Sequence, residues 1–313
     1  MFNLRTASFF LVGGTLLFSA PAFGQDAYSS SSAGSVRYFA GIGMANIKAG
    51  EYVYSGDYKV SQLDWESKGV KTGSLGAEVD IGYAWKLKGR VDVGLGGDGF
   101  MEDRDWLDTS YSGWTHQSLH PDTELDRYIN VLLEAERALV DTGATRLGIG
   151  GGIGYTNVKW TARGGSYIYS DVTLHDTVGN FADGEKGITY EQRIPTLFLS
   201  ANAEQKLGAL TLSGVLRGGA SVGYKDVDDH WLRDLHFIER MNLAPMMGAT
   251  VTADYQILPS AAVYVAGDFQ KIFKTCGDVE QRNTATGVVS YYDDSAAADF
   301  QSLTISAGVK GRF

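Results

Sequence analysis

Two short acidic segments carry the side chains best suited to chemistry. Asp103 and Asp105 stand two residues apart, and Asp228 and His230 have the same spacing. In an extended strand, residues i and i+2 point to the same face, so each segment presents two titratable groups together. A carboxylate orients an imidazole and raises its basicity, and two close carboxyl groups share a proton and can hold a water. The spacing by itself is compatible with an active site or with a solvated acidic loop.

Other kinds of reactive centre have less support in the sequence. One histidine with three carboxylates could bind zinc, which makes a metal site an alternative use of the same four residues. A serine nucleophile would need a Gly-x-Ser-x-Gly elbow, and the sequence has none. Cys276 is the single cysteine, which excludes an internal disulfide framework and a cysteine cluster for zinc. We expect the remaining histidines to lie in loops or on the surface: His116, His120, His175 and His236.

The composition indicates what kind of scaffold positions these residues. The 313 residues include 40 glycines, 17 tyrosines and 14 phenylalanines, and only 20% are charged, against about 25% in soluble chains. So many aromatic residues argue against disorder. A mean hydropathy of −0.13 argues against a bundle of membrane-spanning helices. The net charge of −10 argues against a nucleic-acid partner and favours cationic ones.

The amino terminus predicts export. Arg5 precedes an apolar stretch, residues 7–20, which ends in small residues of the kind that a signal peptidase cleaves. We interpret residues 1–24 as a signal peptide, because the apolar stretch is too short for the alternative, a single membrane anchor. Its removal takes away one arginine and no acid, and leaves residues 25–313 as one domain.

The rest of the chain alternates between apolar and polar or small residues, as transmembrane β-strands do. Leu197 and Leu199 fall on one face of a strand, and Phe198, Ser200 and Asn202 on the other. Similar alternation in residues 91–96 and 147–154 places glycines on the inner face of a barrel. Residues 130–140 contain good helix formers, but their alternation favours a strand over a helix. The pattern predicts a closed antiparallel barrel, in which every backbone group is paired.

The segments between these strands and the chain end also fit a membrane barrel. Residues 101–124 and 225–240 are long and polar, and we expect them to lie outside the cell. Trp65, Trp85 and Trp160 are predicted to pack in the membrane-interface girdle or in loops. The last strand ends in Phe313, which resembles the insertion signal of Gram-negative outer-membrane barrels.

Several blocks together resemble the omptin family of outer-membrane proteases. They recur in family order between about residue 40 and Phe313. The blocks are VSQLDW (60–65), MEDRDWLD (101–108), HPDTEL (120–125), TARGGSYIYS (161–170), YEQR (190–193) and DDH (228–230). The resemblance implies an all-β fold: a ten-stranded antiparallel transmembrane β-barrel with long extracellular loops and an active-site groove at its extracellular mouth.

The resemblance also implies roles for the acidic segments. Asp103 and Asp105 match the family's aspartate pair, and Asp228 and His230 match its Asp–His pair. His230, oriented by Asp228, would be the general base, and the aspartate pair would bind and help activate the attacking water. An aspartyl endopeptidase of this kind needs neither a metal nor a covalent intermediate. The alternative is a non-catalytic barrel, such as an adhesin or a narrow pore.

The resemblance further implies the substrate and lipid contacts. Family members cleave between two basic residues, and Glu51 and Asp226 match the acidic pocket for the side chain before the cut, which agrees with the acidic balance of the chain. His116 stands where the family often has an aspartate that selects the residue after the cut. Arg193 matches one arginine of the lipopolysaccharide-phosphate site. We therefore expect cationic peptides or proteins as substrates, lipopolysaccharide as an activating lipid, and a monomer.

One conflict makes a structural prediction. Counting two residues at a time from Leu95 to Asp103, or from Leu216 to Asp228, places the acids on the lipid face. A catalytic residue must face the lumen, so each strand has to change faces. We predict β-bulges near Gly96–Gly99 and near Gly218–Gly223, where glycine tolerates the geometry.

Overall fold

The computed structural model describes residues 35–82 and 84–312. The predicted signal peptide, residues 1–24, and the terminal Phe313 lie outside the described residues. Within the described ranges, no helix is both long and apolar enough to cross a membrane.

Nearly all of the described chain is β-strand, and every strand pairing is antiparallel. The strands are β1 (Val36–Ser55), β2 (Tyr58–Asp80), β3 (Trp85–Leu95), β4 (Asp98–Asp105), β5 (His116–His120), β6 (Asp122–Asp141), β7 (Thr145–Arg163), β8 (Ser166–Tyr169), β9 (Thr177–Asn180), β10 (Lys186–Leu207), β11 (Leu210–Ser221), β12 (Lys225–His230), β13 (Leu235–Met241), β14 (Ala244–Leu258), β15 (Ala261–Asn283) and β16 (Val289–Arg312). One turn of 3-10 helix, Trp231–Arg233, joins β12 to β13.

The strands close into a ring of ten. Six of the ten are interrupted, so that two consecutive pieces run in the same direction: β3 with β4, β5 with β6, β7 with β8, β9 with β10, β11 with β12, and β13 with β14. The ring closes where β1 pairs with β16 from Arg37 opposite Arg312 to Val53 opposite Ala296. This arrangement confirms the all-β, ten-stranded transmembrane barrel.

The two faces of the strands differ as the alternation predicted. On β10, Leu199 is 76% exposed on the outside, whereas Ser200 and Asn202 are buried in the lumen. Residues 130–140 belong to β6, a strand and not a helix, and Asn130 faces inward beside Asp92. Glycine allows close packing on the lumen side: a Cβ added to Gly152 would lie 2.1 Å from the carbonyl oxygen of Leu133. An apolar outer band around a polar interior is the arrangement that a bilayer requires.

Charged side chains bridge the lumen below the mouth. Arg90 of β3 reaches Asp268 of β15, with Nη1 and Oδ2 3.1 Å apart. Arg217 of β11 contacts Glu134 of β6 at 3.2 Å. Each contact joins strands that are not neighbours in the ring. The interior at this level is therefore filled by ion pairs, which argues against an open pore.

The predicted change of faces occurs on the strand that carries Asp228. Ser221 pairs with Thr196, and Lys225 pairs with Arg193. Three residues, 222–224, thus stand opposite two, 194–195, which is a bulge of one extra residue. Gly223 has a φ of 77°, a left-handed conformation that a glycine adopts without strain. Above the bulge the even-numbered residues face the lumen.

The second change of faces involves two neighbouring strands. Gly96 and Gly97, with φ of 64° and 115°, interrupt the chain between β3 and β4. On β2, Gly69 has a φ of 63°, and there one residue of β1 stands opposite two of β2. On β2 and on the neighbouring β3/β4, the side chains that face the lumen therefore switch from one alternate set of residues to the other at the same level. The interruption at Gly96–Gly97 confirms the predicted position, but the extra residue lies on β2 rather than on β3/β4.

The strands are longer than a membrane requires. β2 and β15 each have 23 residues and β16 has 24, about twice the 9–11 residues that span a bilayer. Asp103 lies eight residues after the lipid-facing Leu95, which corresponds to about 26 Å along an extended chain. The predicted polar segments 101–124 and 225–240 are largely strand, and they form the projecting wall of the barrel instead of loose loops.

Candidate active site

The Asp–His pair lies inside the projecting mouth. Above the bulge at Gly223, Asp228 and His230 both face the lumen, and Asp228 Oδ2 is 2.6 Å from His230 Nε2. The Asp228 side chain is only 2% exposed. Burial lowers the pKa of His230, so the ring is neutral near pH 7. With Nε2 donating to Asp228, Nδ1 is the nitrogen that can accept a proton from water.

The aspartate pair lines another wall of the mouth. Asp103 and Asp105 on β4 stand opposite Leu63 and Ser61 of β2, and Leu63 is buried in the lumen. Ser61 Oγ donates to Asp103 Oδ1 over 3.3 Å. Burial, and then the charge of Asp105, raise the pKa of Asp103. The pair therefore holds a proton at a pH at which isolated aspartates have lost theirs.

The two pairs are close enough to act on each other. The charges of Asp103 and Asp105 both raise the pKa of His230, against the larger effect of burial. In return, His230 lowers the pKa of both aspartates. β4 and β12 are not neighbours in the ring, so this interaction crosses the lumen. A neutral base and a proton-sharing acid pair thus border one space.

A group of buried acids adjoins the Asp–His pair. Glu51 on β1 is 2% exposed and accepts a hydrogen bond from Trp65 Nε1 at 3.2 Å. Asp226 on β12 is fully buried, and its Oδ2 accepts from Tyr190 Oη at 2.7 Å. Burial is the main cause that raises the pKa of both carboxyl groups. Glu51 and Asp226, which the sequence linked to one pocket, therefore lie in one buried acidic region.

Sequence reasoning missed one member of this region. Glu239 of β13 stands directly opposite Asp226 and is 2% exposed. The charges of Glu51, Asp226 and Asp228 all raise its pKa, after the effect of burial. The sequence could have indicated this residue, because a tight hairpin after His230 pairs residue 226 with residue 239. That pairing can be predicted only when the position of the turn is known.

Stacked aromatic rings underlie the acids. Trp65 stacks on Tyr190 with ring centroids 5.4 Å apart, and on Trp160 at 6.0 Å. Trp160 Nε1 donates to Ser67 Oγ at 2.9 Å.

Trp65 and Trp160 are 1% and 0% exposed, so the prediction of a girdle or loop position was wrong for both. The Trp85 side chain is 45% exposed on the outside, as a girdle residue would be. The extra residue at Gly69 on β2 explains the error at Trp65, because it reverses which side chains of β2 face the lumen.

The remaining histidines have different settings. His120 ends strand β5 and is 2% exposed, so the expectation of a loop or surface position was wrong for it. His116 stands opposite Asp105, and its ring lies 5.0 Å from that of Tyr169. Burial, followed by the charges of Asp103 and Asp105, raises the pKa of Tyr169 to about 12. His116 and Tyr169 thus border the aspartate pair, on the side of the mouth away from Glu51.

Arg193 lies on the outer face, apart from the lumen. It stands opposite Lys225 on one side and Asn157 on the other, and its Nε donates to Glu191 at 2.9 Å. Arg127 also contacts Glu191, at 3.3 Å. Arg193 and Arg127 have side-chain exposures of 44% and 45%. Together with Lys159, these residues form an outward basic cluster: Arg127, Lys159, Arg193 and Lys225.

One trio could chelate a divalent cation. Potential ligand atoms of Glu51, Asp228 and His230 lie within 4.8 Å of one another. Carboxylates and an imidazole suit zinc. Chelation would require both acids to be ionised and would compete with the contact between Asp228 and His230.

Fold and site together define a class of protein. The molecule is an outer-membrane β-barrel whose projecting mouth contains a buried Asp–His pair, an aspartate pair and a group of buried acids. The Omptin family model matches residues 32–313. The chain belongs to the omptin family of outer-membrane proteases.

Curated relatives and a solved structure agree. The plasminogen activator of Yersinia pestis is 29% identical over 299 residues, covering 94% of this chain and 95% of the relative. Protease 7 of Escherichia coli (strain K12) is 30% identical over 286 residues, covering 87% and 88%. The crystal structure of outer membrane protease OmpT from Escherichia coli superposes with a TM-score of 0.86 at 26% identity, over 89% of this chain and 97% of that one.

Proposed function

We propose that this protein is an endopeptidase that cuts peptides at basic, and specifically dibasic, sites with an activated water. The observation that carries the proposal is the buried Asp228–His230 pair, with an oxygen–nitrogen distance of 2.6 Å, in the same space as Asp103 and Asp105. A protease without a covalent nucleophile needs a base for water and an acid for the developing charge, and these four residues supply both.

The four residues have complementary roles in this mechanism. His230 takes a proton from water at Nδ1 while Asp228 holds Nε2–H and stabilises the resulting imidazolium. The oxygen of that water attacks the scissile carbonyl carbon, and the proton is later returned to the leaving amine. Asp103 and Asp105 hold the water, and their shared proton stabilises the negative charge that develops on the carbonyl oxygen. Ser61, which donates to Asp103, keeps the pair in position.

The acidic pocket supplies the specificity. Glu51 and Asp226 are buried, and their charges would be balanced by a guanidinium or ammonium group of the substrate. The residue whose side chain enters this pocket is the one before the cut. Cationic peptides or proteins are therefore the substrates, and the net charge of −10 attracts them to the extracellular mouth.

Lipopolysaccharide is the proposed activating lipid. The outward basic cluster presents Arg193 and Arg127 at side-chain exposures of 44% and 45%, next to the lipid-facing wall. Arginine forks match phosphate oxygens bidentately. Lys225 of the cluster lies on β12, the strand that also carries Asp226 and Asp228, so phosphate binding can order the neighbouring catalytic wall. The protein would act as a monomer, because one barrel holds all of these groups.

The experiment is cleavage of a fluorogenic peptide with an Arg-Arg pair by the refolded mature protein, with and without lipopolysaccharide. We expect cleavage that needs the lipid, that persists in EDTA, and that is lost in His230→Ala and Asp103→Ala. Full activity in both variants would refute the roles. No cleavage by the wild-type protein with lipopolysaccharide would favour a non-catalytic barrel, and loss of cleavage in EDTA would favour a metal at Glu51, Asp228 and His230.

A further inference from the structure

The buried acidic region contains more carboxylates than the proposed pocket accounts for. Glu239 is 2% exposed, as buried as Glu51. Its Oε2 has no hydrogen-bond partner among the described residues, and neither has Asp226 Oδ1. Leaving a buried acceptor unpaired is unfavourable, and more so when it is charged. Two such atoms on facing residues indicate that a donor from outside the chain completes them.

The backbone pairing shows where that donor would lie. Asp226 and Glu239 are directly opposite each other on β12 and β13, so their Cβ atoms are about 5 Å apart. β13 is followed around the ring by β15, β16 and β1, and Glu51 on β1 stands opposite Ala298. Between the two glutamates the wall carries Val279, which stands directly opposite Glu239, and then three small residues. They are Gly277, Ala296 and Ala298.

Short side chains separate the acids on the two sides. Ala296 and Ala298 are fully buried, and their side chains extend by only one carbon from the wall. Glu51 stands at one end of this stretch of wall, and Asp226 with Glu239 at the other. Tyr190 and Trp65 hold one oxygen each of Asp226 and Glu51, and Asp226 Oδ1 and Glu239 Oε2 are the oxygens left to receive a ligand.

We infer that Glu239 is a third carboxylate of the basic-side-chain pocket and makes the pocket prefer arginine to lysine immediately before the cut. This inference rests on the proposed function. A guanidinium carries five N–H donors in a flat fork and can be held along more than one edge, whereas an ammonium is a compact point charge with three donors. Glu51 and Asp226 suffice for an ammonium. A third acceptor, on the strand beside Asp226, contacts a second edge that only arginine has.

The test compares three peptides that differ in the residue before the cut: arginine, lysine, and citrulline, the neutral counterpart of arginine. In the wild-type protein we expect kcat/KM to fall in that order. In Glu239→Gln, which keeps the shape and removes the charge, we expect kcat/KM for the arginine peptide to fall about ten- to a hundredfold. The lysine peptide should lose severalfold less, so the preference for arginine over lysine shrinks.

Glu280→Gln is the matched control. Glu280 lies on the neighbouring strand β15, and its Oε2 contacts Arg240 Nη2 at 3.2 Å on the outside of the barrel. That variant should keep the wild-type preference. An unchanged ratio of arginine to lysine in Glu239→Gln, or an equal loss with all three peptides including citrulline, would overturn the inference.

Binding separates this inference from the proposed function. If the wild-type protein cleaves none of the peptides, the proposed function fails. Calorimetric binding of the arginine, lysine and citrulline peptides to the wild-type protein, Glu239→Gln and Glu239→Asp then still tests the pocket. Tighter binding of arginine than lysine that is lost in Glu239→Gln and partly kept in Glu239→Asp supports it, and equal binding refutes it. The heat-dependent gel mobility of the barrel establishes that each variant is folded.

Discussion

Asp228 Oδ2 lies 2.6 Å from His230 Nε2 inside the lumen. The adjacent Asp229 makes a contact of the same length, 2.6 Å, with His236 Nδ1 on the outer face. These two Asp–His pairs have equal contact distances, through Nε2 in one and Nδ1 in the other, and lie in opposite surroundings. The outer pair is 29% exposed at both side chains, whereas Asp228 is 2% exposed. This contrast gives the catalytic proposal an internal control.

Asp228→Asn should remove most of the activity. An asparagine amide can donate to Nε2, which places the ring proton on Nδ1 and leaves no base for water. We expect kcat to fall at least roughly a hundredfold with little change in KM. Asp229→Asn and His236→Ala, which remove the outer pair, should stay within about twofold of the wild type. Steady-state kinetics on the Arg-Arg peptide make the comparison, and equal losses from the two pairs would show that neither is catalytic.

The pH profile of kcat/KM should be bell-shaped. Burial lowers the pKa of His230, so the neutral base persists below the ordinary imidazole value of about 6.5 and activity is lost only in more acidic solution. Burial and the charge of Asp105 raise the pKa of Asp103, so the shared proton survives well above the ordinary aspartate range and activity is lost as the pH rises through that raised pKa.

Asp105→Asn provides the check on the alkaline side. Asparagine at position 105 is always neutral, so the variant lacks the like charge that makes Asp103 and Asp105 share one proton. If the alkaline limb belongs to the pair, this variant moves it, while the acid limb of His230 shifts only to lower pH, because the Asp105 charge that raises the pKa of His230 is gone. An alkaline limb at the same pH in the variant and the wild type would assign that limb to another group.

Alternation in the sequence was sufficient to predict a closed antiparallel barrel, because the bilayer imposes a simple rule on each strand, whereas the number of strands came from the family resemblance. Leu199 and Ser200 follow that rule, and so do Asn130 and Glu134 in the segment with helix-forming residues. The prediction failed at Trp65 and Trp160. Their positions near strand ends had indicated the membrane-interface girdle or loops. In the projecting wall both faces are away from lipid, so hydrophobicity no longer distinguishes inside from outside.

The site was predictable only in part. Counting alternate residues toward Asp103 and toward Asp228 placed both on the lipid face. Because a catalytic side chain cannot point into lipid, this result correctly required a change of face on each strand. The sequence could not show that Gly69 on β2 supplies the extra residue for the first of them. Glu239 was missed for a related reason: it reaches the pocket through cross-strand pairing, which depends on where the hairpin turns.

Gly223→Ala should destabilise the bulge. Gly223 has a φ of 77°, and a Cβ added there would meet no heavy atom within 4 Å, so the cost is backbone strain and not collision. A non-glycine residue in the left-handed region costs about 1–2 kcal/mol of unfolding free energy. Gly218→Ala is the control, because it has equal space and no left-handed φ. Urea unfolding of the refolded barrels compares the two, and equal stability would show that the bulge tolerates a side chain.

Arg193→Ala should weaken the response to lipopolysaccharide. The variant removes one exposed guanidinium from the outward basic cluster and leaves the lumen unchanged. We expect the lipid concentration for half-maximal activity to rise roughly tenfold, with little change in the rate at saturation. Arg282→Ala is the control, because Arg282 is also exposed on the outer face but lies on β15, where it contacts Glu280 at 3.8 Å, away from the cluster. An equal shift in both variants would point to nonspecific attraction.

His116→Asp should change the preference for the residue after the cut. His116 stands opposite Asp105 and beside Tyr169, on the side of the aspartate pair away from Glu51. An added carboxylate there would attract a basic side chain, and its interaction with a substrate cation is worth a severalfold change in kcat/KM at a partly exposed position. Peptides with arginine, alanine or glutamate after the cut measure the change, and His116→Asn serves as the uncharged control. We expect a gain for arginine and a loss for glutamate in His116→Asp alone, whereas the same profile in both variants would place this substrate residue elsewhere.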